Sequence, residues 1–288
     1  MLLIARVACV SKKRFRKSFR GPLRVAGRMQ MAPGANGPAL LEARGIKKSY
    51  GPVQALRGID FRIGKGETIA LVGDNGAGKS TFVKILSGAI QPTGGEISFG
   101  GRPVAIASTD VARSLGIETV YQDLGLCDNL NVADNIFLGR ERSWGIGPLR
   151  FLDKRGMRAA AGEALKGLSI NVPRPDANVS GLSGGQRQAV ALARTKLWKS
   201  SLVLLDEPTA ALGVQETKRA MEAVRKLQDQ GVSIVLITHN MPLVLEMSHR
   251  VVVLRHGTKV GDIPTASVTG DDIVSLITGA RQMWIEAA

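Results

Sequence analysis

The segment Gly73-Asp-Asn-Gly-Ala-Gly-Lys79-Ser80-Thr81 constrains this chain more than any other feature, because glycines and a lysine at this spacing make a working loop only between a strand and a helix. Glu67–Val72 ahead of it reads as a buried strand, and Lys79–Ser87 behind it as the helix that leaves the loop. In that context Gly73, Asn75, Gly76, Ala77 and Gly78 can turn successive backbone N–H groups inward, and the helix N-terminus adds its dipole. Such a cradle suits phosphate oxygens. Lys79 would neutralise β- and γ-phosphates, Ser80 would ligate Mg²⁺, and Thr81 completes the pattern. The plain alternative, a glycine turn with an incidental lysine, does not explain why every required position matches.

A second chemical feature lies at Ser201-Leu-Val-Leu-Leu-Asp206-Glu207-Pro208, an apolar strand that ends in two carboxylates. Asp206 would emerge at the carboxyl edge of a sheet beside the glycine loop, where it can hold Mg²⁺ through water, and Glu207 would face the γ-phosphate and polarise an attacking water. Strands ending in acids before a proline are common; the pairing with the phosphate loop gives this one its meaning. A third, Leu182-Ser183-Gly184-Gly185-Gln186-Arg187-Gln188, opens a helix whose free N–H groups and serine hydroxyl offer another anion site. On its own it could be only a capped helix.

Around these features the chain reads as α/β. Leu40–Arg44 and Gln54–Ile63 read as strands joined through Tyr50-Gly51-Pro52, an edge sheet leading into the core, and residues 96–106 return to strand-like alternation. A predominantly helical stretch runs from Val132 to Leu197, interrupted by Pro148 and by 171–175. Then come strand 202–206, helix 214–230, strand 232–238, helix 241–248, strands 250–255 and 259–263, and helix 269–279. Alternation of this kind implies right-handed crossovers and a mostly parallel sheet, and aromatics at 4% suit its aliphatic core. No internal repeat is present, so the chain supplies one set of motifs.

The net charge of +15 resembles a nucleic-acid signal until it is divided, for residues 1–41 hold nine Lys or Arg and no acid. Subtracting those leaves about +6 for the body, and no specific nucleic-acid partner is expected. The apolar Met1–Val10 is short and its charges follow it, the reverse of a secretory signal. Residues 1–39 therefore read as a solvated disordered tail, as sequence upstream of a start at Met29 or Met31, or as an electrostatic contact with anionic lipid or nucleic acid. These stay open. No apolar run is long enough to span a bilayer, and Cys9 and Cys127 have no metal-ligand or disulfide spacing, which fits a reducing cytosol.

Taken together, the loop at 73–81, Leu182–Gln186 and Asp206-Glu207 resemble the ATP-binding cassette (ABC) family over residues 40–288. The resemblance implies a P-loop ATPase fold with an antiparallel edge sheet and a helical subdomain at about 123–197. It also implies a head-to-tail dimer of two copies, in which Ser183, Gly184, Gly185 and Gln186 of one copy complete the ATP site of the other. Tyr50 resembles the aromatic that stacks on adenine. Gln122 resembles the glutamine that senses Mg²⁺ and water while its loop follows a membrane partner, and His239 resembles the histidine that contacts the γ-phosphate. One departure stands out: Gly213 occupies a place where the family often has aspartate, which bears on communication between the two sites.

A single cassette without coiled coils favours a transporter subunit over a repair, chromosome or translation ATPase. The wording of 121–141, the run from Asp206 to Gly213 and 238–244 resembles bacterial monosaccharide importers of the ribose, xylose and fructose type. That resemblance implies a peripheral subunit on the cytoplasmic face of the inner membrane, an integral permease and, indirectly, a sugar-binding protein outside. A non-sugar solute and a non-transport ABC ATPase are the alternatives.

Overall fold

The computed structural model describes residues 38–121, 123–146, 149–166, 174–209 and 212–285. The basic N-terminal tail and Gln122 lie outside the described residues. In chain order the elements are β1 (Ala39–Tyr50), β2 (Val53–Gly64), β3 (Thr68–Gly73), α1 (Lys79–Leu86), β4 (Gly94–Phe99), β5 (Arg102–Pro103), α2 (Thr109–Ser114) and β6 (Ile117–Val120). There follow α3 (Val132–Phe137), β7 (Ser143–Ile146), β8 (Leu149–Leu152), α4 (Lys154–Lys166), α5 (Gly184–Leu197), β9 (Leu202–Asp206) and α6 (Val214–Asp229). The last are β10 (Ser233–Ile237), α7 (Met241–Met247), β11 (Arg250–Arg255), β12 (Thr258–Pro264), α8 (Gly270–Thr278) and β13 (Trp284–Ile285).

The continuous apolar runs become the core strands. The main sheet has the order β13-β12-β11-β3-β10-β9-β6, with β11, β3, β10, β9 and β6 parallel to one another, β12 antiparallel to β11, and β13 parallel to β12. Both faces are covered, so the period-2 alternation of a strand sends neighbouring apolar residues to opposite layers. Ile69, Leu71, Leu204, Val235 and Ile237 pack with α1 and the β1–β2 ribbon. Val203, Leu205, Ile234 and Leu236 pack with α5 and α6, and Ala70, Val72, Val251 and Val253 with α7 and α8.

The second sheet, β2-β1-β4-β5, is antiparallel throughout. A buried ionic cluster joins it to the main sheet. Arg250 donates from Nε to Glu67 Oε1 at 2.9 Å, from Nη1 to Asp262 at 2.5 Å, and to the Arg62 carbonyl, while Glu67 Oε2 accepts the Gly64 N–H at 2.7 Å. Glu67 is 1% exposed, so its charge is stabilised by these partners rather than by water.

The stretch from Val132 to Leu197 is not uniformly helical. A two-stranded antiparallel hairpin, β7–β8, separates α3 from α4, because Ser143–Ile146 and Leu149–Leu152 are short runs of strand-forming residues rather than turns of helix. The residue range 96–106 also differs, holding β4, the two-residue β5 and then irregular chain. Besides that hairpin, three elements among the described residues stand outside the sequence expectation: β6 at the edge of the main sheet, α2 ahead of it, and β13. Within the helical part Asn135, wholly buried, accepts from the Cys127 N–H at 2.7 Å and donates to the carbonyls of Cys127, Leu130 and Asn131. This side chain closes the loop that leads into α3. Asn135→Ala would leave those backbone groups without a partner and is expected to destabilise the fold by about 2 kcal/mol, read as a lowered urea midpoint.

Candidate nucleotide site

Strand β3 ends at Gly73 in the centre of the main sheet, and the loop to α1 turns there under tight steric limits. A Cβ on Gly73, whose φ is +154°, would lie 2.3 Å from the Leu254 carbonyl oxygen. Gly78, at φ +101°, forms the N-cap of α1, and a Cβ there would meet Leu56 Cδ2 at 2.6 Å. Only glycine fits either position. The Asp74 carbonyl accepts the Ala77 N–H at 3.1 Å, and its side chain accepts the Asn75 N–H at 2.7 Å. Ser80 and Thr81 occupy the first turn of α1.

Lys79 reaches back across the loop, and its ammonium donates to the carbonyls of Gly73 (2.7 Å) and Asp74 (2.9 Å). Burial lowers its pKa, opposed by the charges of Glu207, Asp74 and Asp206. Gly73→Ala is expected to remove nucleotide binding and lower stability by about 2 kcal/mol or more. Thermal unfolding with and without ATP checks both: the variant should melt earlier and gain nothing from ATP.

Asp206 closes β9, two strands from β3 with β10 between them. Burial raises its pKa, and the neighbouring Glu207 carboxylate raises it further, while Lys79 and Lys84 pull the other way. Glu207 follows at φ +50°, a left-handed backbone unusual for glutamate, held by its N–H donating to the Ile237 carbonyl at 2.9 Å. That turn directs the acid back over the sheet edge. His239, just beyond β10, hydrogen-bonds Glu207 Oε1 from Nδ1 at 3.1 Å, an arrangement that requires the proton on Nδ1. Oε2 is equally near, at 3.0 Å, but out of line for a hydrogen bond. It is buried and has no hydrogen-bond partner among the described residues. A buried carboxylate oxygen left without a hydrogen bond is costly unless something docks against it.

An open cleft of about 590 Å³ lies over this edge, lined by Tyr121, Asp123, Gly125 and Asp206. Tyr121 is anchored by its hydroxyl donating to Ser87 at the end of α1 (3.1 Å). Neither Tyr121 nor Asp123 stands out in sequence; the motif around Gln122 was the only signal pointing to them. Tyr50, at the tip of the β1–β2 ribbon, is half exposed, with the Lys48 ammonium 5.2 Å from its ring. Its free face can stack on a flat aromatic base.

Leu182–Gln188 builds the N-terminus of α5, as expected. Ser183 is the N-cap, accepting the Gln186 N–H at 3.4 Å, and Gln186 returns the bond by accepting the Ser183 N–H at 3.0 Å. This capping box leaves the N–H groups of Gly184 and Gly185 in the first turn. The two glycines allow α6 to approach closely: a Cβ on Gly185 would lie 3.2 Å from Glu216, and one on Gly184 3.0 Å from Leu212. Glu216 thus touches the glycine pair and also accepts the Gly213 N–H at 3.3 Å. Sequence reasoning missed it, because its importance arises only from the packing of α6 on α5. Gly213 caps α6 with no side chain, where an aspartate would offer an acceptor.

The family described as ABC transporter matches residues 56–210. The chain is 45% identical over 252 residues to the fructose import ATP-binding protein of Rhizobium meliloti, covering 86% of this chain and 97% of that protein. It is 43% identical to the xylose/arabinose import ATP-binding protein of Sulfolobus acidocaldarius, covering 83% of this chain and 94% of that one. The ribose import ATP-binding protein of Rubrobacter xylanophilus is 45% identical, but this chain spans only 47% of its length. Among solved structures, a dimeric ATP-binding cassette in a post-hydrolysis state with ADP and phosphate superposes with a TM-score of 0.67 at 25% identity, covering 78% of this chain and 98% of that one. A nucleotide-free cassette of an ABC transporter superposes with a TM-score of 0.71 at 21% identity, covering 83% and 95%.

Proposed function

Because the chain belongs to the ABC transporter family, we propose that it is the ATP-hydrolysing subunit of an importer and energises monosaccharide uptake through a separate membrane permease. The site observation that carries the ATPase reading is Glu207 Oε2, a buried carboxylate oxygen with no hydrogen-bond partner among the described residues, beside Lys79 and Asp206 at the mouth of the phosphate loop. Identity to sugar-import relatives along nearly their whole length supports the cargo. Nothing in this chain would touch the sugar, whose selection belongs to the permease and an external binding protein.

In this reading the loop N–H groups between Gly73 and Thr81 and the Lys79 ammonium grip the β- and γ-phosphates, and Tyr50 stacks on the adenine. The lysine exchanges two carbonyl partners for phosphate oxygens. Glu207 orients a water and takes its proton as the oxygen attacks the γ-phosphorus; the bond to the bridging oxygen breaks, and ADP and phosphate leave. His239 holds Glu207 through Nδ1 and, by resemblance, stands on the γ-phosphate side of the site. The available donors are all hard oxygens, Ser80, Asp206 and, by resemblance, Gln122, and no cluster of three acidic, His or Cys side chains forms a metal cage among the described residues. That set fits Mg²⁺, which takes few carboxylates and completes its shell with phosphates and water. Bound there, the ion would neutralise charge on the transferring phosphoryl group.

Ser183, Gly184 and Gly185 of a second copy close the site from the other side, so ATP holds the dimer shut and hydrolysis releases it. The loop around Gln122 relays that closure to a permease helix at the cytoplasmic face of a bacterial inner membrane. The test is a gentle-detergent pull-down of the tagged chain from its native host. Recovery of a multi-span permease with a sugar-binding protein encoded beside it is expected. A permease whose binding protein takes a non-sugar solute would overturn the cargo, and recovery with ribosomes or DNA would overturn transport.

A further inference from the structure

We propose that the β7–β8 hairpin is a membrane-surface contact that lays Trp144 and Phe151 into the headgroup layer of an anionic bilayer. Trp144 and Phe151 are directly opposed across the hairpin, with ring centroids 5.4 Å apart. They are 64% and 55% exposed, and Leu152, next along the strand and on its opposite face, is 51% exposed. An isolated two-stranded ribbon is marginal in water, and one that displays a pair of large aromatic side chains on one face gains nothing there. Its root, by contrast, is fixed. The Asp153 N–H donates to the Arg142 carbonyl at 2.8 Å, the Arg142 guanidinium lies 5.2 Å over the Phe137 ring, and Arg140 lies 4.8 Å over Trp198.

The charges around the ribbon identify the occupant. Arg142, Arg150, Lys154, Arg155 and Arg158 are all exposed. Of the two acids in this stretch, Asp153 is turned inward, accepting the Gly156 N–H at 2.8 Å, and only Glu141 is fully exposed. A cationic rim around aromatic side chains matches the cytoplasmic leaflet, where anionic headgroups lie above an interface that favours tryptophan. The cytoplasmic loops of a permease are enriched in Lys and Arg, so a protein partner there would meet the hairpin with charge of the same sign. The inference goes beyond the ATPase reading, requires neither nucleotide nor cargo, and can fail without touching that reading.

The experiment uses the full chain with Trp198→Phe and Trp284→Phe, which leaves Trp144 as the reporter, and vesicles of phosphatidylcholine with or without phosphatidylglycerol. Trp144 emission is expected to shift to the blue and to be quenched by brominated lipid on the anionic vesicles only, with release at high salt. Arg142→Gln and Arg150→Gln should each weaken binding about fivefold. As a complement in the otherwise unaltered chain, Trp144→Phe should remove the vesicle-induced spectral change. Co-sedimentation with unchanged Trp144 emission would assign vesicle binding to the basic N-terminal residues and overturn the proposal. So would an equal shift produced by single-stranded RNA.

Discussion

Glu207→Gln is expected to leave ATP binding unchanged and to lower turnover by about a thousandfold, the range that removal of a general base commands. The amide keeps the shape of the side chain and its oxygen can still accept a hydrogen bond from His239 Nδ1, so the left-handed turn at 207 and the His239 contact persist. What it loses is a basic oxygen at the position of Oε2, which is buried beside Lys79 and Asp206. Phosphate release measured alongside binding of a fluorescent ATP analogue separates the two effects. In the proposed cycle closure precedes hydrolysis, so the variant should also accumulate as an ATP-bound dimer in gel filtration. Turnover within a few-fold of the unmodified chain would remove Glu207 from the mechanism.

Glu67→Ala is expected to cost about 3 kcal/mol of stability, lowering the melting temperature by roughly 6–10 °C. The change strips Arg250 of one of its two carboxylates and leaves the Gly64 N–H without an acceptor in a fully buried place. Asp262 and the Arg62 carbonyl still hold the guanidinium, which keeps the loss short of unfolding. Replacing Glu67 and Arg250 together by leucine should be milder than Glu67→Ala, since the guanidinium goes with its partner and Asp262 keeps the Lys259 ammonium at 2.9 Å. If the double replacement melts lower, the cluster contributes net stability and the desolvation argument is wrong.

The parallel core was legible because its strands are buried on both faces and so appear as unbroken aliphatic runs, as at 202–205 and 234–237. The acids and lysine were legible too, since each sits where a strand ends or a helix begins. β6 escaped notice because it is four residues long and carries Glu118 in its middle, a residue balanced there by the nearby Arg113, Arg140 and Arg194 guanidiniums. The β7–β8 hairpin was hidden by its position between two helices, where Pro148 read as a helix interruption. Two site features could not have been read at all. The left-handed backbone of Glu207 depends on a carbonyl from a different strand, and the contact of Glu216 with Gly185 depends on how two helices pack. Local sequence carries neither.

The strand order has a consequence for how the enzyme is made. β3 and β9 never touch; β10, which leaves the ribosome after both, is the strand that lies between them. A nascent chain ending near residue 230 already contains the phosphate loop, both acids and the serine-glycine helix, yet lacks the spacer that sets their separation and the histidine that follows it. Such a chain carries the loop and both acids, but nothing in it fixes how far apart they stand, because the strand paired with both β3 and β9 is the one still missing.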